Sequence, residues 1–211
     1  MDGREPLHRG RRSRDDWGIE FSRIIAFSDG VFAIAITLLV LSLDIPSNAH
    51  DLNHSIAEQY PDFLAYVLSF AVIGRLWVLH HRFFSEVTHF DNRLMSLNLL
   101  YLGLIVLIPF TTEVLGDYSG QPTAAILYAA NIGLTNAAGS LLVYDAVRRG
   151  LTKPGMEWII ENPLRWRGTV AAIIFFASIP VALLSTTVAE VLWILILVTG
   201  LRPGQRRPEP A

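Results

Sequence analysis

Residues 23–43 read RIIAFSDGVFAIAITLLVLSL. A polar cluster (Arg23, Ser28, Asp29) is followed from Gly30 to Leu41 by a run without charge, and Pro46 ends the segment. A largely apolar stretch of ~20 residues is long enough to cross a bilayer as a helix. An acid such as Asp29 inside a span is a functional candidate by default, because a charge in hydrocarbon is costly.

The remainder of the 211-residue chain has the same character. It is 52% hydrophobic, with mean hydropathy +0.40 and only 17% charged residues, which are clumped. That composition belongs to a polytopic, all-α membrane protein with the lipid bilayer as a partner. The absence of cysteine excludes disulfides, thiolate metal sites and a cysteine nucleophile. A net charge of −2 gives no reason to expect a nucleic-acid partner. No HExxH, GxSxG or pair of aspartates occurs in the spans, so no enzyme is expected.

Six spans are predicted within 18–201: residues 19–43, 61–84, 94–115 interrupted by Pro109, 122–147, and a run over 168–201. That run is too long for one crossing and is divided near Ser185-Thr186-Thr187 into a hairpin of two short spans. Residues 1–17 are expected to be a disordered basic N-terminus, retained because no cleavage site follows the apolar run. Residues 202–211 are expected to be a disordered tail. Bases fall in both termini, beside the link between spans 2 and 3 (Arg82, Arg93) and in the loop after span 4 (Lys153, Arg165, Arg167). The other connections carry no Lys or Arg. This pattern predicts both termini in the cytoplasm. Arg75 is the one base deep in a span, and no acid in the sequence compensates it.

At ~100° per residue, Ile34, Leu38 and Leu41 share one stripe of the span-1 helix, extended by Phe27 and Arg23, with Thr37 on its edge. Ala26, Gly30, Ala33 and Thr37 make a second seam, small throughout, that admits a close helix. Asp29, Ser22 and Ala33 turn away from the apolar stripe, toward a neighbouring helix. Spacing alone leaves two readings of the stripe, lipid or bundle packing against pore lining. It also leaves two readings of Asp29, a contact between helices against a contact with an ion.

The spacing Arg23-x-x-x-Phe27-Ser28-Asp29, followed by Gly30-Val31-Phe32-Ala33-Ile34-Ala35-Ile36-Thr37, resembles the signature of the transmembrane protein 175 family. These are potassium-permeable channels of bacteria, archaea and animal lysosomes. The single six-span unit resembles the bacterial type, which implies a homotetramer in the bacterial cell (inner) membrane with span 1 lining a central pore. The resemblance further implies a pore constriction at Ile34, Leu38 and Leu41, and a selectivity contribution from Thr37. It implies a structural polar network of Arg23, Phe27, Ser28 and Asp29 with Trp77 and His80 or His81 of span 2. The expected permeant ion is K+, with other monovalent cations and no cofactor. No TVGYG-like loop is present to form a carbonyl filter, so a hydrophobic ring would act by size and dewetting.

Gly74, Trp77 and His81 share a face of span 2 suited to packing on span 1. The adjacent His80-His81 pair points ~100° apart, so no metal site is expected there. The alternative to a channel is a proton-coupled transporter using Asp29 and the span-2 histidines as a relay.

Overall fold

The computed structural model describes residues 14–43 and 52–200. Helix α1 (Arg14–Leu38) tightens at its end into a 3-10 turn, Leu39–Ser42. A short α2 (Leu52–Glu58) precedes α3 (Tyr60–Phe84), which opens with Pro61 where a missing N–H costs nothing. Asp91 caps α4 (Asn92–Val106), its Oδ1 accepting from the Leu94 amide at 2.9 Å. Pro109 cannot continue α4, and after the single residue Leu107 the chain restarts as α5 (Ile108–Asp117). Next come α6 (Pro122–Arg148), α7 (Trp158–Glu161), a 3-10 turn Pro163–Arg165, α8 (Arg167–Leu184) and α9 (Thr186–Gly200).

One expectation is revised. The chain is already helical from Arg14, so the basic leader does not run to residue 17. Residues 1–13 and the tail 201–211 lie outside the described residues. Among the described residues, five helical stretches are long and apolar enough to cross a membrane: Gly18–Ser42, Tyr60–Phe84, Asn92–Asp117, Pro122–Arg148 and Arg167–Leu184. The sixth, expected as the second of two short spans, is α9, of which 15 residues, ~22 Å of helix, are described. The hairpin itself is present, turning at Ser185.

The helices meet where small residues let them. A Cβ on Gly133 of α6 would stand 2.9 Å from the Phe176 ring of α8, and one on Gly139 equally close to the Tyr101 ring of α4. Two apolar clusters are stacked along the bundle. The larger contains Phe32, Ile73, Ile105, Tyr128, Phe175 and Trp193. The smaller, with Phe83, Phe84, Leu94, Leu142 and Ile159, closes the end where α3 leads into α4. There the two links are stitched together: Lys153 N donates to Glu86 O at 2.8 Å and Thr88 N to Leu151 O at 2.8 Å. The ion pairs lie at the same end. Arg93 and Arg149 hold Asp145 at 2.6 and 3.0 Å, and Arg149 also binds Asp91.

Candidate pore-lining helix

Ser28, Phe32, Ala35 and Leu39 recur at helical spacing and are buried, so one narrow stripe of α1 faces the bundle. The polar start of this stripe fixes the helix. Asn98 Nδ2 of α4 donates to Ser28 Oγ at 3.0 Å, and Ser28 Oγ donates back to Ile24 O at 2.9 Å. His80 Nε2 of α3 donates to Asn98 Oδ1 at 2.9 Å. One amide thus joins α1, α4 and α3. The His80 ring stacks 5.7 Å from Tyr101 and 5.3 Å from Phe32, so apolar surface encloses the chain of bonds.

Asp29, the next residue, points ~100° further round and reaches a different partner. Its Oδ1 accepts from Trp77 Nε1 of α3 at 2.9 Å. Consecutive residues therefore tie α1 to two helices, which fixes rotation as well as position. The expected partners are sorted by this geometry. Trp77 binds Asp29, while His80 reaches Ser28 only through Asn98. His81 is exposed and stacks on Trp77 at 5.5 Å, outside the hydrogen-bond chain. Arg23 and Phe27 are exposed and do not join the pins described here. Ser22 and Ala33, expected to face a neighbouring helix, are exposed too, and so are Ala26 and Gly30 of the small seam. A Cβ on Gly30 would meet nothing within 4 Å.

Away from its buried stripe, α1 is uncovered. Only 22% of its apolar window is buried, against 50% for α6. Ile34 is 60% exposed, Leu38 40% and Leu41 73%, in one row with Phe27. Thr37, beside that row, is exposed and its hydroxyl donates to Ile34 O at 2.9 Å. The structure thus brings Ser28 and Asp29 inward and leaves Arg23 and the row outside the chain's own core.

Sequence reasoning missed Asn98, the hub of the pin. Its signal was present, an amide alone in the middle of an apolar span, since such groups glue helices together. It also missed a second polar set, where Thr112 Oγ1 donates to Ser69 Oγ at 2.7 Å and Ser69 lies 3.0 Å from Tyr128 OH, joining α5, α3 and α6. Of the two asparagines expected to bond between helices, Asn131 lies 3.1 Å from Thr111 of α5, whereas Asn136 turns back to Ile132 O of its own helix. No group of three or more metal-ligating side chains occurs among the described residues.

Comparison with known proteins shows what the chain is similar to. The family model described as the endosomal/lysosomal potassium channel TMEM175 matches residues 23–109, from the motif arginine to Pro109. A protein of Streptomyces collinus named as a potassium channel is 43% identical over 138 residues, covering 64% of this chain and 66% of the relative. Another, of Chamaesiphon minutus, is 42% identical over 119 residues, 54% of this chain and 59% of the relative. The matches thus span about two thirds or less of these two relatives. A solved structure, a lysosomal potassium-selective channel TMEM175 homolog from Chamaesiphon minutus, covers 87% of this chain and 98% of its own at 32% identity, with a TM-score of 0.74.

Proposed function

The chain belongs to the TMEM175 family, and from that premise we propose that it is a potassium-permeable cation channel, a homotetramer with four copies of α1 around one axis. The family is one of channels, and the chain is not an enzyme. The observation that carries the reading is the row Ile34, Leu38, Leu41, exposed on a helix that is pinned from its opposite side. Four such rows facing an axis make an apolar constriction that passes ions by size and dewetting. Thr37 supplies the hydroxyl within it that replaces part of an ion's hydration shell. The small seam of Ala26, Gly30 and Ala33 lets adjacent copies of α1 approach closely. The basic end of the bundle is cytoplasmic by the positive-inside rule, which puts both chain termini inside a bacterial cell membrane.

Proton-coupled transport by Asp29 and the histidines is the weaker reading. Asp29 and His80 are bonded to separate neutral groups, Trp77 and Asn98, and no hydrogen bond links them. The test is K+ flux into liposomes containing the purified protein. The channel reading expects flux down a K+ gradient, and altered flux in Ile34→Asn and Leu38→Asn. Unchanged flux in both variants removes the constriction from this row, and saturable uptake that needs a pH gradient favours the transporter.

A further inference from the structure

Helix α8 begins deep inside the bundle. A Cβ on Gly168 would lie 2.9 Å from Ser140 Oγ of α6, and Ser140 stands more than two turns, ~12 Å at ~1.5 Å per residue, before the end of α6. Trp166 and Gly168 line one small cavity with Leu76, His80 and Tyr101. The cavity runs on toward Phe83 and Val143. Tyr101 OH, however, reaches Leu76 O at 3.5 Å and the Tyr101 ring lies against Gly139, so Leu76, Tyr101, Gly139 and Gly168 stand at one level above the basic end. Arg75 and Arg167 adjoin that level in sequence, and the two cations are near enough to repel one another.

From this level onward α8 has 18 residues, ~27 Å, close to the ~30 Å of a hydrocarbon core. The side chains exposed along that depth are apolar: Val67 and Phe70 on α3, Leu134 on α6, Ile173 and Leu183 on α8. On the other side of the level, His81, Arg82, Ser96 and Arg148 are exposed, and the smaller apolar cluster and the ion pairs lie there. Val78 and Leu141, just past the level, are exposed as well, and polar exposure follows them, which supports a membrane surface close to Arg75 and Arg167 with the ends of α3 and α6 projecting beyond it. The segment between α6 and α8 has the composition of that surface. Ile160 and Leu164 are 37% and 59% exposed beside Trp158 and Trp166, and tryptophan with aliphatic side chains and flanking bases is the usual content of an interfacial segment.

Arg75 is half-buried at this depth, and its guanidinium makes no hydrogen bond or ion pair with a described residue. A cation at the edge of hydrocarbon needs an anion, and a guanidinium fork fits a phosphate. We propose that Arg75 and Arg167, flanked by the Trp158–Trp166 segment, hold the phosphate headgroup of an anionic phospholipid. One negative charge between the two arginines relieves their repulsion, while Ile160 and Leu164 sit against acyl chains. The inner leaflet is its location if the orientation proposed above holds; the binding itself requires neither that orientation nor conduction.

The test is native mass spectrometry of the full chain with phosphatidylglycerol and phosphatidylcholine of matched acyl chains. Wild type is expected to retain phosphatidylglycerol preferentially. Each basic residue near an anionic headgroup contributes a factor of about five, so Arg75→Gln or Arg167→Gln should lower the preference about fivefold and the pair about thirtyfold. Arg75→Lys should keep part of it, and Arg82→Gln all of it. Equal retention of the two lipids, or an unchanged preference in both single variants, overturns the site. Loss of the oligomer in Arg75→Gln with lipid preference unchanged also overturns it, and shows that Arg75 faces an acid of a second copy. K+ flux is measured separately: a non-conducting protein that still prefers phosphatidylglycerol keeps the site and refutes the channel.

Discussion

Asn98 carries more of the arrangement than any residue of the motif. Its two amide atoms are both used, one on Ser28 and one on His80, and all three side chains are buried. Asn98→Leu strands a buried hydroxyl and a buried imidazole, each at a cost of about 1 kcal/mol in a membrane interior. The expected result is thermal unfolding several degrees lower in detergent, with Ser28→Ala milder because it leaves one partner instead of two. Asp29 separates the two functional readings. Asp29→Asn keeps an oxygen that can accept from Trp77 Nε1, so the channel reading expects near-normal stability and flux in liposomes. A proton relay expects transport to be abolished. That Asp29 faces a partner was legible, because helical projection turns it from the apolar row. The identity of that partner was not, since projection gives a direction and says nothing of which helix lies there.

At the scale of elements, the spans were readable from apolar runs and their punctuation: Pro61 and Pro122 open helices, and Pro109 breaks one, as expected. Where α8 begins in depth was not readable, because that level is set by packing of Gly168 on Ser140, a long-range contact. Helix α4 shows how close such packing is. Gly139→Ala puts a methyl 2.9 Å from the buried Tyr101 ring, which must shift together with the stacked His80. Overpacking of this kind costs about 1–3 kcal/mol, measurable as a lower unfolding temperature and weaker anchoring of α1. The start of α4 responds to acid instead. Arg149 and the Leu94 amide hold the Asp91 carboxyl below the usual carboxylate range. A carboxylate with a lowered folded pKa contributes stability above its unfolded value, about pH 4, and loses that contribution as pH falls through the folded value. Unfolding curves of wild type should therefore weaken below about pH 4. Those of Asp91→Asn should be flatter there, since asparagine still caps the helix but carries no charge for Arg149.

As a whole molecule the chain is polarised in charge as well as in depth. The bases of the described residues lie at or below the level of Arg75 and Arg167, Arg23 among them beside the smaller apolar cluster, and the opposite end carries Asp62, Glu113 and Asp117 without a Lys or Arg in the connecting sequence. The 3-10 turn that ends α1 packs against α5 and α3, and α5 leads to exposed Glu113 and Asp117. In a tetramer with α1 at the axis, four copies of these acids surround the outer mouth and raise the local cation concentration. Screening decides whether this matters. At ~10 mM salt the Debye length is ~30 Å, and at ~1 M it is ~3 Å. Glu113→Gln with Asp117→Asn should therefore lower single-channel K+ conductance about twofold at ~10 mM K+ and leave it unchanged near ~1 M. Equal conductance at both concentrations means that the acids serve only to keep the loops in water, whereas an equal loss at both means that the substitutions disturb the helix and not the field at the mouth.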